Sequence, residues 1–504
     1  MAPLSEADYS DMQGLLRFGY GKLTAACFLL LRIQDVTAAC RWLAQAPVSS
    51  AETQNPPPSR SLQVAFTQQG LRRLGVPDEI LNGFSAEFLS GMTGEDNRSR
   101  RLGDVGANAP EYWDWGGNDA TPDLVVMMYA TPDQFEDWKN RLQTELSESG
   151  FTLLTCLPTS DMDGVEPFGF VDGVSSPTLD WERKRNPSGD KLNYENVVML
   201  GEFVLGYPNE YGKYTTRPLI ADASADLPDA EDSPGLKDLA RNGTYMVMRQ
   251  LEQDVRGFWH SLNEQSEGDT ARREDLAERL VGRKMSGDPL QPLTHADING
   301  VGPDPEDRAR NGFTFASDPN GITCPFGAHI RRANPRNADL PVGTQSGLIE
   351  RLVYILALNR FGGGGDAPRD LAASARFHRL LRRGREYGPE VTAAQRLQPA
   401  LPDEQPTGLN FVCLNANIGR QFEFIQGAWL MDAKFDGLSG ESDPLLGNRE
   451  PVAGAPTDSF TLPSSAGVRR RLNNLPRFVT VRGGAYFFLP GLRALRYLAR
   501  SGRV

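Results

Sequence analysis

Only four histidines and five cysteines occur among the 504 residues, and that scarcity removes several chemistries at once. The cysteines (Cys27, Cys40, Cys156, Cys324, Cys413) are odd in number and widely spaced, with no Cys-x-x-Cys pair. Neither a zinc site nor a disulfide framework is therefore predicted. Four of the five lie in or beside apolar runs, where a reduced, buried thiol is expected. No His-Glu-x-x-His motif is present either. A basic surplus is also missing. With 65 acidic against 53 basic residues the net charge is −12, which argues against nucleic-acid binding and against attraction to anionic membranes. No apolar run approaches the length of a membrane span. The N-terminus, MAPLSEADYSDMQ, carries acids where a signal peptide needs a basic region and an apolar core, so a cytoplasmic protein is expected.

What is there has the composition of a globular protein, 39% hydrophobic and 23% charged, and is too long for one small core. Ala26 to Ile33, Ser61 to Phe66, Leu124 to Tyr129 and Phe151 to Leu157 are apolar runs of strand length. Helical spacing follows the first run over Val36 to Leu43, with Trp42 and Leu43 facing inward. It follows the third from Pro132 to about Leu146, with Thr131 as N-cap. The order β-α-β-β-α-β is that of a ferredoxin-like domain. An acidic, proline-containing stretch from Asp222 to Pro234 marks a boundary, dividing the chain into 1–232 and 233–504. The pattern then begins again. Thr244 to Gln250 and Leu409 to Leu414 read as strands, as do Phe478 to Val481 and Ala485 to Leu489. Leu251 to Leu262 and Ile418 to Leu430 show helical spacing, the latter with Phe422, Ile425 and Trp429 on one face. The expected class is α+β, with two ferredoxin-like domains. A long insertion, about 268–404, interrupts the second and contains the glycine run Gly362 to Gly365, most simply a loop.

Three stretches carry candidate chemistry. Cys324 to Arg336 (CPFGAHIRRANPR) sets His329 between a tight turn and the cluster Arg331, Arg332 and Arg336. A neutral imidazole suits the axial position of haem iron, and arginine forks suit the haem propionates. A structural histidine beside a solvated basic loop is the competing reading. Upstream, Glu166 to Pro177 (EPFGFVDGVSSP) presents Asp172 between Gly169 and Gly173, which allow sharp turns and close approach to a flat ligand. Apolar neighbours are expected to raise the proton affinity of Asp172, as suits an acid-base group, although Asp-Gly is also a common turn. The third stretch, Phe377 to Gly388 (FHRLLRRGREYG), offers arginines that could stabilise charge on a departing oxygen. Of the other histidines, His260 is expected to face solvent, His295 to lie in a loop, and His378 to compete with His329.

Together these stretches resemble the dye-decolourising (DyP-type) haem peroxidases, whose signatures are a GxxDG loop and a later histidine followed by an arginine-rich run. The resemblance extends from LLRFGYGKLTAACFLLLRI through GEFVLGYPNEYG and LAERLVGRKMSGDPL to NANIGRQFEFIQ, and is nearest the longer bacterial subgroup. It implies haem b in the second half, with His329 on the iron and Arg336 at a propionate. Asp172 then reaches over the open face as acid-base group, with Arg382 stabilising the breaking O–O bond. Arg331 and Gly173 are expected to contact the cofactor, and Arg379 and Arg383 to lie on a solvated helix face. The implied reaction is oxidation of dyes and phenols in one-electron steps at the expense of hydrogen peroxide, with Tyr387 a candidate relay to the surface. In the family an acid often precedes the Gln-Phe pair, where this chain has Asn417; that residue would accept from His329 or cap a helix. Two alternatives stay open: a haem-handling protein without turnover, and a chlorite-dismutase-like enzyme, against which the GxxDG loop counts.

Overall fold

The computed structural model describes residues 6–117, 120–185, 196–291, 310–315, 317–336 and 374–501. His295 and the glycine run Gly362 to Gly365 lie outside the described residues. In the first half β1 (Ala25–Ile33), β2 (Arg60–Phe66), β3 (Leu124–Ala130) and β4 (Phe151–Pro158) follow the apolar runs closely. They pair antiparallel in the order β2-β3-β1-β4, as a ferredoxin-like unit requires. Helices α1 (Val36–Leu43) and α2 (Pro132–Glu148) connect them. Trp42 and Leu43 are buried as expected. Thr131 occupies the N-cap position of α2, but its side chain makes no capping bond there; Pro132 fills the first helical position.

The second half repeats the plan with β5 (Thr244–Gln253), the short β6 (Leu381–Arg382) and β7 (Arg385–Tyr387), β8 (Gly408–Asn415) and β9 (Val479–Leu489). β6 and β7 lie beside β8, then follow β5 and β9, and β9 meets β2 at Phe488 and Phe66. Four strands of the first half and five of the second thus join edge to edge in one nine-stranded sheet. The two runs expected between Phe478 and Leu489 form one strand. The pairing skips Arg482 in a register shift between Val481 and Gly483, not a break. A bulge tolerates an extra residue without ending the pairing. Gly483 is required there because any Cβ would land on the Trp115 indole.

Helix α3 (Val255–Gln265) is capped by Asp254, and α4 (Thr270–Val281) by Asp269. The segment expected as a regular helix from Ile418 to Leu430 is wound in two π-helical turns, Gly419–Glu423 and Ile425–Leu430. Phe422, Ile425 and Trp429 are all buried, as its periodicity predicts. No helix among the described residues is long and apolar enough to cross a membrane.

Candidate active site

One face of the sheet's second half forms the wall of a cavity. Arg249, Leu251 and Gln253 of β5, Leu409 and Phe411 of β8, and Val479 and Val481 of β9 line it. These are alternate residues, as a strand presents them to one side. His329, Asp172 and Arg382 also line it, so three residues far apart in the chain meet there.

His329 opens the short helix α5 (His329–Ala333), after the turn built on Pro325. Its Nδ1 lies 3.0 Å from Oδ2 of Asp443, whose side chain is fully buried. The other carboxylate oxygen of Asp443 accepts from the backbone N–H groups of Leu445 and Leu446. Arg332 secures this arrangement from below. Its guanidinium donates to the carbonyls of Trp429, Leu430, Asp432 and Glu441, tying α5 to the loop that carries Asp443. Burial favours a neutral Asp443, but the His329 charge and hydrogen bond, Arg332 and the Leu446 N–H outweigh it and hold its pKa below the ordinary value. With Nδ1 committed, Nε2 is the ring nitrogen available to the cavity, and the carboxylate strengthens its donor character.

The distal loop is held by its backbone. Val171 N–H donates to Met285, Asp172 N–H to Gly164, and Trp259 Nε1 to the Phe168 carbonyl. Gly169 has φ 101°, and any side chain there would run into Arg396. Gly173, at φ 83°, flanks the lining residues Asp172 and Val174 without being one of them. Arg382 Nη1 donates to Asp172 Oδ1 at 2.6 Å. The expectation of a raised Asp172 pKa is corrected. Burial does push it up, but Arg382, the Gly173 N–H and the more distant His329 together bring it below the ordinary carboxylate value.

The arginine cluster divides. Arg336 lines the cavity, with its terminal nitrogens donating to Asn311 and Phe313 and its plane over the Phe313 ring. Arg331 is not among the lining residues. It lies between Phe315 and Phe326 and donates to Asp318 and the Cys324 carbonyl. A fully buried guanidinium needs several acceptors, and backbone carbonyls supply them here. No helix forms where a solvated helix face was expected for Arg379 and Arg383, which flank the short strand β6. Arg379 is buried, reaches Asn196 and lines the cavity, whereas Arg383 turns the other way to the Leu15 and Leu16 carbonyls.

His378 also lines the cavity, but its Nδ1 bonds to the Arg420 carbonyl and its ring stacks on Phe424. Burial, opposed by that bond and aided by the Arg420 charge, pulls its pKa down to about 4. His260 is exposed, as expected. Asn417 is not the partner of His329: its side chain accepts from the Arg420 N–H, capping the π-helical segment. Tyr387 is buried and pairs through β7 with Gly408.

Two residues were missed. Asp443 sits in the loop sequence ESDPLLG, one acid among 65, and no local pattern marks it. Glu166 lines the cavity six residues before Asp172, and its carboxylate accepts from Phe168 N–H, Phe170 N–H and Gln253 Nε2. Burial, against those bonds, pushes its pKa up to about 7. The run of backbone turns around Gly169 was the available signal, since exposed N–H groups in a tight loop need an acceptor.

An imidazole backed by a buried carboxylate, facing an apolar slot with a carboxylate–arginine pair at its wall, is the set of groups that a haem-dependent oxidoreductase would need. No family model matches the chain. It is 30% identical over 363 residues to the multifunctional dye peroxidase DyP2 of an Amycolatopsis species, across 68% of this chain and 62% of that protein's length. The dye-decolorizing peroxidase AauDyP1 of Auricularia auricula-judae is 27% identical over 509 residues, or 96% of this chain and 86% of that one. A crystal structure of a DyP-type peroxidase from that fungus superposes with a TM-score of 0.71 at 24% identity, covering 98% of this chain and 100% of the other. The chain belongs to the dye-decolourising family of haem peroxidases.

Proposed function

We propose that His329 binds the haem iron through Nε2, with Asp443 fixing its tautomer, and that Asp172 and Arg382 act on hydrogen peroxide at the opposite face. The observation that carries this reading is the convergence of His329, Asp172 and Arg382 on one cavity with apolar walls. The donor set fits the group: one neutral nitrogen, a flat slot between sheet and π-helical segment, and arginines at the lining. Arg336, from its place on the wall, would pair with a propionate; the same position supports Arg379 as a second contact. Bound haem supplies a redox-active iron that activates peroxide.

The chain's own residues do the proton work. Asp172, ionised at neutral pH, takes a peroxide proton on its carboxylate and returns it to the departing oxygen. Arg382 keeps that carboxylate charged and placed, and offers a fixed positive charge to the oxygen on which negative charge grows. Phe168, Phe170 and Val171 exclude bulk water from the pair. Hydrogen peroxide and small organic donors are the proposed substrates. A related dye-decolorizing peroxidase of the same fold has been crystallised with 2,6-dimethoxyphenol, which supports a phenolic donor. We further propose domain units of 1–232 and 233–504, the first holding β1 to β4 and the second β5 to β9.

The test is peroxide-dependent oxidation of 2,6-dimethoxyphenol by the haem-loaded protein. Oxidation is expected in the wild type and lost with haem in His329→Ala. Stable haem binding without turnover would replace this reading by that of a haem-handling protein.

A further inference from the structure

Outside the cavity, the first half brings together two thiols that the reaction does not use. Cys27 on β1 pairs across the ladder with Pro158, and Cys156 on β4 pairs with Leu29. Residues two apart share a face of a strand, so Cys27 and Cys156 are diagonal neighbours on the same side of the sheet. Each thiol shifts the proton affinity of the other, as groups within side-chain reach do. The Cys27 thiol donates its hydrogen to the Met128 thioether at 3.9 Å. Cys27 is buried, whereas Cys156 is half-buried and gives the pair its access to solvent.

We propose that Cys27 and Cys156 are a redox modification site, a dithiol that hydrogen peroxide converts to an intramolecular disulfide. The asymmetry of the pair assigns the roles. Cys156 is half-buried, and the neighbouring Cys27 thiol and the Lys139 ammonium hold its pKa below that of an ordinary thiol against the effect of burial. Cys27, beside Cys156 and buried, is pushed the other way. Reactive thiols are those held as thiolates beside positive charge with some exposure, which describes Cys156. Lys139 stands on α2, in an ion pair with Glu136 at 2.6 Å.

The chemistry balances with peroxide as the sole oxidant. The Cys156 thiolate attacks one peroxide oxygen, the O–O bond breaks, and the other oxygen leaves as hydroxide and is protonated to water. Cys156 is then a sulfenic acid. Cys27 gives up its proton and attacks the Cys156 sulfur; the S–O bond breaks and a second water departs. Two thiols have lost two electrons, and one peroxide has gained them.

Disulfide closure needs the two Cα atoms nearer than an ordinary diagonal pair. The sheet allows this movement at this place. β4 is the terminal strand, bonded only to β1, and the β1–β4 register shifts between Leu30 and Leu31. An edge strand next to a bulge moves without disturbing a second ladder. The site is separate from the cavity, whose lining includes neither cysteine.

The experiment treats the haem-loaded protein with a few equivalents of hydrogen peroxide, alkylates the remaining thiols and maps peptides without reduction. A Cys27–Cys156 linked peptide is expected, two of the five thiols becoming inaccessible to alkylation and returning with dithiothreitol. In Cys27→Ser the sulfenic acid on Cys156 has no partner and is expected to be trapped by dimedone. In Cys156→Ser, Cys27 should stay reduced. The proposal fails if both thiols of the wild type remain alkylatable after peroxide, or if Cys156 passes to the sulfinic acid with Cys27 still free. The wild-type map decides the matter even if a variant folds poorly.

Discussion

Arg382 Nη1 donates to Asp172 Oδ1 at 2.6 Å, closing a pair between residues 210 positions apart. That bond sets the charge state of the distal carboxylate, and both side chains are about one-third exposed to the cavity, 31% for Arg382 and 35% for Asp172. The two should therefore be separable by pH.

Asp172 has a folded pKa below its ordinary value of 3.8. The rate of reaction with peroxide should accordingly hold level as pH falls and drop only below the usual carboxylate range. Asp172→Asn should lose that acid limb and ~10²–10⁴-fold in rate. Arg382→Leu should lose on the order of 10²–10³-fold. Its acid limb should move upward, because burial then acts on the carboxylate unopposed by the guanidinium. Stopped-flow rates across pH distinguish the two. An Asp172→Asn protein reacting at the wild-type rate would remove the acid-base role. The same depressed pKa means the pair stabilises the fold above the ordinary carboxylate pKa, a contribution lost as pH falls through the folded value.

Asp443→Asn keeps the shape beside His329 but removes the charge that strengthens its donation. Partners of this kind typically affect metal affinity or activity ~10–100-fold. Haem loss to an apoprotein acceptor should accelerate in that range, while Asn417→Ala should leave it unchanged, since Asn417 serves the Arg420 N–H. His378→Ala should retain haem. If it loses haem and His329→Ala does not, the axial assignment is wrong.

Glu166 has a folded pKa of about 7 against an ordinary 4.5. Where the folded form holds its proton more tightly than the unfolded chain, stability is full below the ordinary value and falls as pH rises to the folded one. Thermal melting should show a decline between about pH 4.5 and about pH 7 that Glu166→Gln abolishes. An identical pH dependence in the variant would assign that decline elsewhere.

Gly483→Ala places a methyl group on the Trp115 indole, which itself donates to Gln250 at 2.9 Å. Overpacking of this kind costs about 1–3 kcal/mol. Denaturant unfolding should show it, and Gly164→Ala, with open space around it though at φ 76°, should show only the smaller cost of a left-handed backbone.

The sequence by itself determined the long strands of both halves, because each is a local apolar run whose burial is decided over a few residues, whereas the short β6 and β7 among the arginines left no such mark. It also marked three stretches that the fold brings to one cavity: a glycine-framed Asp172, a lone imidazole at His329 and the arginines around Arg382 each have a local signature. Only the tertiary structure decided what those groups face. The partner of His329 is Asp443, 114 residues away, and a contact of that range leaves no local trace. The sign of the Asp172 shift depended on Arg382 being within hydrogen-bonding distance, against a burial effect that alone would raise it. Arg331 and Arg336 share a helix-and-turn segment, yet one serves the Asp318 loop and the other the cavity, because backbone direction after α5 turns at Arg336, where φ is 58°. Side-chain identity is written in the chain; the acceptors that a buried charge finds are supplied by whichever segment folds against it.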